Sequence, residues 1–142
     1  MKILKVSEKS HLKDAFDIRK KVFVDEHQID HDTAFDDFDD ESSHFIAQND
    51  DGETLGAARW RRTPAGIKLE RFAVMREHRN LGIASQLVQA LLSDIDSRPE
   101  NRSKRIYLHA QKDILGLYKK FGFREVGQSF KESGIWHQEM EK

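Results

Sequence analysis

The sequence predicts one mixed α/β layer domain, on three observations. Its 142 residues suffice for one hydrophobic core and are too few for two ordinary ones. Short apolar segments separated by turn residues read as a β-meander, with amphipathic segments of helical spacing on either side. No repeat, linker or low-complexity stretch marks an internal boundary, so residues 1–142 form a single unit.

Each element has a local reason. Lys2 to Val6 alternates and ends at Ser7, a short strand followed by a helix cap. From Lys9 to about Glu26, the residues Leu12, Ala15, Phe16, Val22 and Phe23 fall at helical spacings and define one buried stripe, which Arg19 interrupts. Asp30 to Ser43 is rich in Asp and aperiodic, a loop with room for a turn of helix. His44 to Gln48 and Thr54 to Arg62 are strands joined through Asn49, Asp50, Asp51 and Gly52, a hairpin signal in which glycine supplies positive φ. Pro64 and Gly66 make the next turn, and Ile67 to Met75 completes an antiparallel meander. Ala84, Leu87, Val88, Leu91, Leu92 and Ile95 outline the clearest amphipathic helix, which ends in Ser97 to Ser103 with Pro99. Arg105 to His109 is another strand. Lys112 to Phe121 reads as a helix that buries Ile114, Leu117, Tyr118 and Phe121 and closes at Gly122. Phe123 to Val126 opens a strand, and Ile135 to Met140 gives the last.

Composition removes several classes of function. With 24 basic and 25 acidic residues, no global field recruits nucleic acid or an anionic membrane. The absence of cysteine excludes disulfides, Cys-ligated zinc and an acyl-cysteine intermediate, and it is compatible with a reducing compartment. No apolar run is long enough for a signal h-region or a membrane span, so the expectation is a soluble, cytoplasmic protein.

The most informative stretch is the basic turn between the third meander strand and the amphipathic helix. A helix N-terminus leaves its first amides unpaired and carries partial positive charge, which suits a phosphate or pyrophosphate. Gly82 can adopt angles closed to other residues and offers no Cβ to a phosphate oxygen, Ala84 keeps the first turn thin, and Arg76 and Arg79 add guanidinium charge.

The segment Arg79-Asn80-Leu81-Gly82-Ile83-Ala84, with Glu70-Arg71-Phe72-Ala73-Val74 upstream on a strand and Tyr118-Lys119-Lys120-Phe121-Gly122-Phe123 downstream, resembles the GNAT superfamily of N-acetyltransferases. Three further segments, Ile18 to Ile29, Lys68 to Val74 and Phe130 to Met140, resemble the small bacterial ElaA-like branch. The resemblance spans nearly the whole chain. It implies a twisted, mostly antiparallel sheet of six to seven strands flanked by about four helices. It also implies acetyl-CoA as the acetyl donor, with no metal, and transfer to a small-molecule or peptide amine. A homodimer is plausible on the same ground.

Direct transfer needs four groups. The resemblance implies a pyrophosphate cradle at Arg79, Asn80, Leu81, Gly82, Ile83, Ala84 and Ser85, and pantetheine laid along the backbone of Phe72, Ala73 and Val74, where an amide meets the thioester oxygen. Glu70 is the candidate base. Strand alternation sets it on the face of Phe72 and Val74, among apolar neighbours that would raise its pKa; the competing reading is a structural carboxylate paired with Arg59, Arg61 or Arg71. Tyr118 is the candidate acid for the departing thiolate, or else a core aromatic. Arg19 either snorkels or turns toward the substrate cleft, and His137 either contacts the acceptor or cofactor or is simply packed. Gln111 reads as a cap or loop residue that could also reach the cofactor.

The acidic run Asp36 to Glu41 reads as a solvated loop, with attraction of a cationic amine second and metal binding third, since it lacks the glycine of a calcium loop and the His27–His31 pair lacks the glutamate of zinc peptidases. A cofactor sensor without turnover is the alternative function, and a P-loop or dinucleotide site ranks below it, since the turn has no Gly-Lys-Ser/Thr ending and no triple-glycine spacing.

Overall fold

In the computed structural model, which describes residues 1–142, the apolar segments pair into one seven-stranded sheet of order β1-β2-β3-β4-β5-β7-β6. The strands are β1 (Lys2–Lys5), β2 (Ser43–Gln48), β3 (Thr54–Thr63), β4 (Gly66–Val74), β5 (Ile106–Gln111), β6 (Arg124–Glu132) and β7 (Ile135–Glu141). Helices α1 (Lys9–Arg19), α2 (His31–Ala34), α3 (Ile83–Asp96) and α4 (Leu115–Lys119) complete the domain. All neighbours are antiparallel except β4 and β5, which α3 connects. The expected fold class, strand number and helix number hold. No helix is long and apolar enough to cross a membrane.

The two faces bury separate cores. On one, Leu87, Val88 and Leu91 of α3 pack on Trp60, Ile67, Leu69 and Leu108, and Tyr118 and Met140 join them. Burying each of these aliphatic side chains contributes about 1.5–3 kcal/mol. On the other face, Ala15 and Ile18 of α1 and Val22 and Phe23 beyond it pack on Ile46, Ala57 and Ala73. Past Arg19 the helix widens into a π-helical stretch, Lys20–Glu26, in which the His27 amide donates to the Val22 carbonyl.

One irregularity positions the site. Between the pairs Ala57↔Ala73 and Arg59↔Glu70, β4 holds one residue more than β3, and Arg71 in this bulge has φ 60°. The extra residue inverts the alternation, so Leu69 and Phe72 share the α3 face while Glu70 and Ala73 share the α1 face. The expected placement of Glu70 beside Phe72 and Val74 is therefore corrected. β4 and β5 pair only at Ile67↔Ile106, Lys68↔Tyr107 and Leu69↔Leu108; beyond these positions the strands part.

The hairpin before β4 requires glycine. Gly66 has φ 139°, and a Cβ there would collide with the Arg105 carbonyl oxygen. The expected single helix from Lys112 to Phe121 is instead a 3₁₀ turn, Lys112–Ile114, followed by the five-residue α4. Ile114, expected to be buried, is 41 % exposed at the mouth of the gap described below. Gly122 ends the segment with φ 89°, as expected.

Candidate active site

Two cavities meet where β4 and β5 part. The larger cleft, about 560 Å³, runs along the N-terminus of α3. The smaller, about 120 Å³, lies between β4, β5 and the β6–β7 hairpin. Five residues line both: Phe23, Phe72, Gln111, Ile114 and Tyr118. A ligand in the cleft and a ligand in the smaller cavity would touch at these side chains.

The cleft end is built from backbone. Gly82 caps α3 with φ 81°, and Asn80 stands at φ 65°. The first bond of the helix runs from the Gln86 amide to the Gly82 carbonyl at 3.1 Å, so the Ile83, Ala84 and Ser85 amides have no intrahelical acceptor. A Cβ built on Gly82 meets nothing within 4 Å; the glycine is needed for its φ. Asn80, Gly82, Ile83, Ala84 and Ser85 line the cleft together with Arg79. Arg79 is not a free phosphate ligand, however: its guanidinium forms a fork to Glu26 at 2.6 and 2.7 Å and donates to the Val74 carbonyl at 3.0 Å. It ties the turn to β4 and to the end of the π-helical stretch. Arg76 and Leu81 are exposed and line neither cavity.

The gap presents strand amides. The Met75 amide donates to the Leu55 carbonyl on β3 at 3.0 Å, so alternation turns the Val74 and Phe72 amides toward the gap and the Ala73 amide back toward β3. Phe72 and Val74 line the cleft; Ala73, expected with them, is buried against the α1 side.

Tyr118 is 4 % exposed and packs edge-on against Phe72 and Phe123. Burial alone pushes its phenol pKa up, so the group keeps its proton at neutral pH. It is both a core aromatic and a residue of the two cavities.

Glu70 lines the smaller cavity but does not stand among apolar neighbours. Its carboxylate is 7 % exposed and ringed by cations: Arg61, which hydrogen-bonds one oxygen, Arg59 at 3.3 Å, Arg71 at 3.2 Å and Lys68 at 3.9 Å. Burial opposes ionisation, yet Arg59 and the other cations outweigh it and hold the pKa below the ordinary glutamate value. The expected rise is therefore a fall. The bulge at Arg71 is the cause, because it turns Glu70 onto the arginine face.

The acidic loop supplies the rest of this network. Asp36 accepts from Arg59 at 2.9 and 2.7 Å and from Arg71 at 2.9 Å, while Asp39 accepts from Arg59 and, through both oxygens, from Arg19. The loop is thus not merely solvated. Arg19, a substrate candidate from the sequence, is buried between the Phe16 and Phe35 rings and lines neither cavity. Burial would raise the Asp36 pKa, but the Arg59 hydrogen bonds overcome it and hold the carboxyl at about 2. Because the folded pKa lies below an unfolded value of about 3.9, Asp36 contributes fully above that value, up to about 2.6 kcal/mol before screening, and loses the contribution as pH falls toward 2. Acid unfolding followed by circular dichroism is expected to fall between pH ~4 and ~2, with Asp36→Asn flattening the dependence there; an unchanged pH dependence in the variant would contradict the ion-pair account.

His137 and Gln111 do reach the site, His137 in the smaller cavity and Gln111 at the junction. Sequence reasoning missed Phe23, Lys68, His109 and Glu132 in the smaller cavity, and His27, His78 and Lys120 in the cleft. Lys68 could have been found by counting two back from Glu70 along the strand; Glu132 and His109 could not, since their meeting depends on the pairing of β5, β6 and β7. No group of three or more His, Asp or Glu side chains is arranged to hold a metal ion.

The profile of the Acetyltransferase (GNAT) domain family matches residues 8–142. Among related proteins, the uncharacterized N-acetyltransferase YjcF of Bacillus subtilis is 33% identical over 144 residues, spanning 100% of this chain and 99% of its own. Two solved structures share the fold. An acyl-CoA N-acyltransferase from Pseudomonas aeruginosa superposes with a TM-score of 0.86 at 21% identity, covering 99% of this chain and 98% of the other. Escherichia coli ElaA superposes with a TM-score of 0.84 at 22% identity, covering 100% and 99%.

Proposed function

This chain belongs to the GNAT acetyltransferase family, and from that premise we propose that it moves an acetyl group from acetyl-CoA to a primary amine by direct attack in a ternary complex. The observation that carries the reading is the junction of two cavities at Phe23, Phe72, Gln111, Ile114 and Tyr118. One cavity ends in unpaired helix amides suited to a diphosphate, and the other, half apolar, carries the carboxylates of Glu70 and Glu132 that suit an amine. Acetyl-CoA supplies the activated acyl group. The chain's own residues do the rest: the amides of Ile83, Ala84 and Ser85 hold the diphosphate, and the Phe72 or Val74 amide polarises the thioester carbonyl. Tyr118 gives its proton to the departing sulfur. Glu70, held ionised by its arginines, orders water beside the amine rather than keeping a proton itself. With no cysteine in the chain, no acyl-cysteine intermediate forms.

Calorimetry with CoA and a free-thiol assay over a panel of primary amines test this together. CoA is expected to bind, and at least one amine is expected to release thiol. Binding without release from any amine would favour the sensor alternative, and absence of binding would remove both readings.

A further inference from the structure

The Glu70 carboxylate is already engaged by Arg61, Arg59 and Arg71, and a second group in the smaller cavity offers a nitrogen to the proton that an acceptor ammonium must lose before it can attack. We infer that His137 takes this proton and passes it to solvent through Glu132, an inference that rests on the transferase reading above.

His137 is 8 % exposed and lines the acceptor cavity with Glu70 and Tyr118. Its Nδ1 lies 2.8 Å from the Ile135 carbonyl oxygen. A carbonyl only accepts, so Nδ1 carries the hydrogen, and in the neutral ring the Nε2 lone pair is free. Phe130 stacks against the ring and holds its plane, with centroids 6.1 Å apart. Nε2 stands 3.7 Å from Glu132 Oε2, the nearest carboxylate oxygen to which a proton on that nitrogen could pass. The other Glu132 oxygen is 3.2 Å from His109 Nδ1, and His109 Nε2 is 3.2 Å from Glu139. Glu132 is half-exposed and reaches solvent directly, while His109 behind it holds the carboxylate in place. The charges sharing this cavity are Lys68, Glu70 and Arg71 from β4, His109 from β5 and Glu132 from β6.

The protons balance. One ammonium N–H bond breaks as Nε2–H forms, and the freed nitrogen pair attacks the thioester carbon. When the C–S bond breaks, sulfur takes the Tyr118 proton, and the phenolate recovers one from the attacking nitrogen. The proton on His137 leaves by Glu132, so each turnover releases one proton to solvent.

Two acceptor probes of similar size separate this role from a structural one: ethylamine, an ammonium at neutral pH, and trifluoroethylamine, largely free amine. His137→Gln is expected to lower kcat/KM for ethylamine at least about 10²-fold and for trifluoroethylamine under ~10-fold, with CoA affinity unchanged. Equal losses with both amines, or no loss, would overturn the inference. Glu132→Gln is expected to lower kcat/KM for ethylamine more than for trifluoroethylamine, because the carboxylate that carries the proton onward is gone; equal losses with both amines remove Glu132 from the path. Heteronuclear NMR of the wild type reads the His137 tautomer without any acceptor, and an Nε2–H ring would overturn the assignment. A wild type that binds CoA but acetylates neither probe nor any other amine removes the transferase reading and this inference with it, whereas an active wild type with an unaffected variant removes the inference alone.

Discussion

Arg59→Met is expected to lower the unfolding free energy by about 3–5 kcal/mol, the cost of leaving buried charge without its partner. The Arg59 side chain is 0% exposed and contacts three carboxylates: Asp36, Asp39 at 2.6 Å and Glu70 at 3.3 Å. Methionine restores most of the volume and none of the charge, so these acids would face one another with only Arg19, Arg61, Lys68 and Arg71 left to balance them. Arg59→Lys is expected to recover part of the loss, since a point charge cannot make the two parallel bonds that Asp36 receives. Urea unfolding monitored by fluorescence of the buried Trp60 measures both. A methionine variant within 1 kcal/mol of the wild type would mean that water already reaches the network and screens it.

Tyr118→Phe is expected to reduce kcat by about 10²–10⁴-fold with CoA affinity and thermal midpoint nearly unchanged. The substitution removes one oxygen and keeps the ring that packs on Phe72 and Phe123. Burial is the only influence on the phenol's acidity, so no partner is left unpaired by its removal. The free-thiol assay reads kcat, and calorimetry reads affinity. Full activity in the variant would transfer the acid role to water or to another side chain, while a large fall in stability would show that the hydroxyl itself, not only the ring, holds the core together.

The site was unevenly legible in the sequence. The turn from Arg79 to Ala84 was readable because its chemistry is local: a positive φ at Gly82 and three unpaired amides depend on residues a few positions apart. Tyr118 was readable from its place beside Phe123. Glu70 was found, but its electrostatics were inverted, because alternation was counted across a bulge that nothing in Leu69-Glu70-Arg71-Phe72 announces. Arg71 there is a non-glycine residue with φ 60°, a conformation that costs energy locally and is held by its bonds to Asp36 and Glu70.

By itself the sequence determined the order of strands and helices, the two hairpin turns, the glycine-capped start of α3 and the lack of a cysteine nucleophile, since each follows from spacing or composition. Only the tertiary structure decided that Asp36 and Asp39 neutralise Arg59, Arg71 and Arg19, that β4 and β5 diverge after Leu69, and that Glu132 stands between His137 and His109. The physical reason is range. Backbone geometry and capping act over a handful of residues, whereas a buried charge pairs with whatever opposite charge the fold brings within a few ångströms, here 20 or more positions away along the chain.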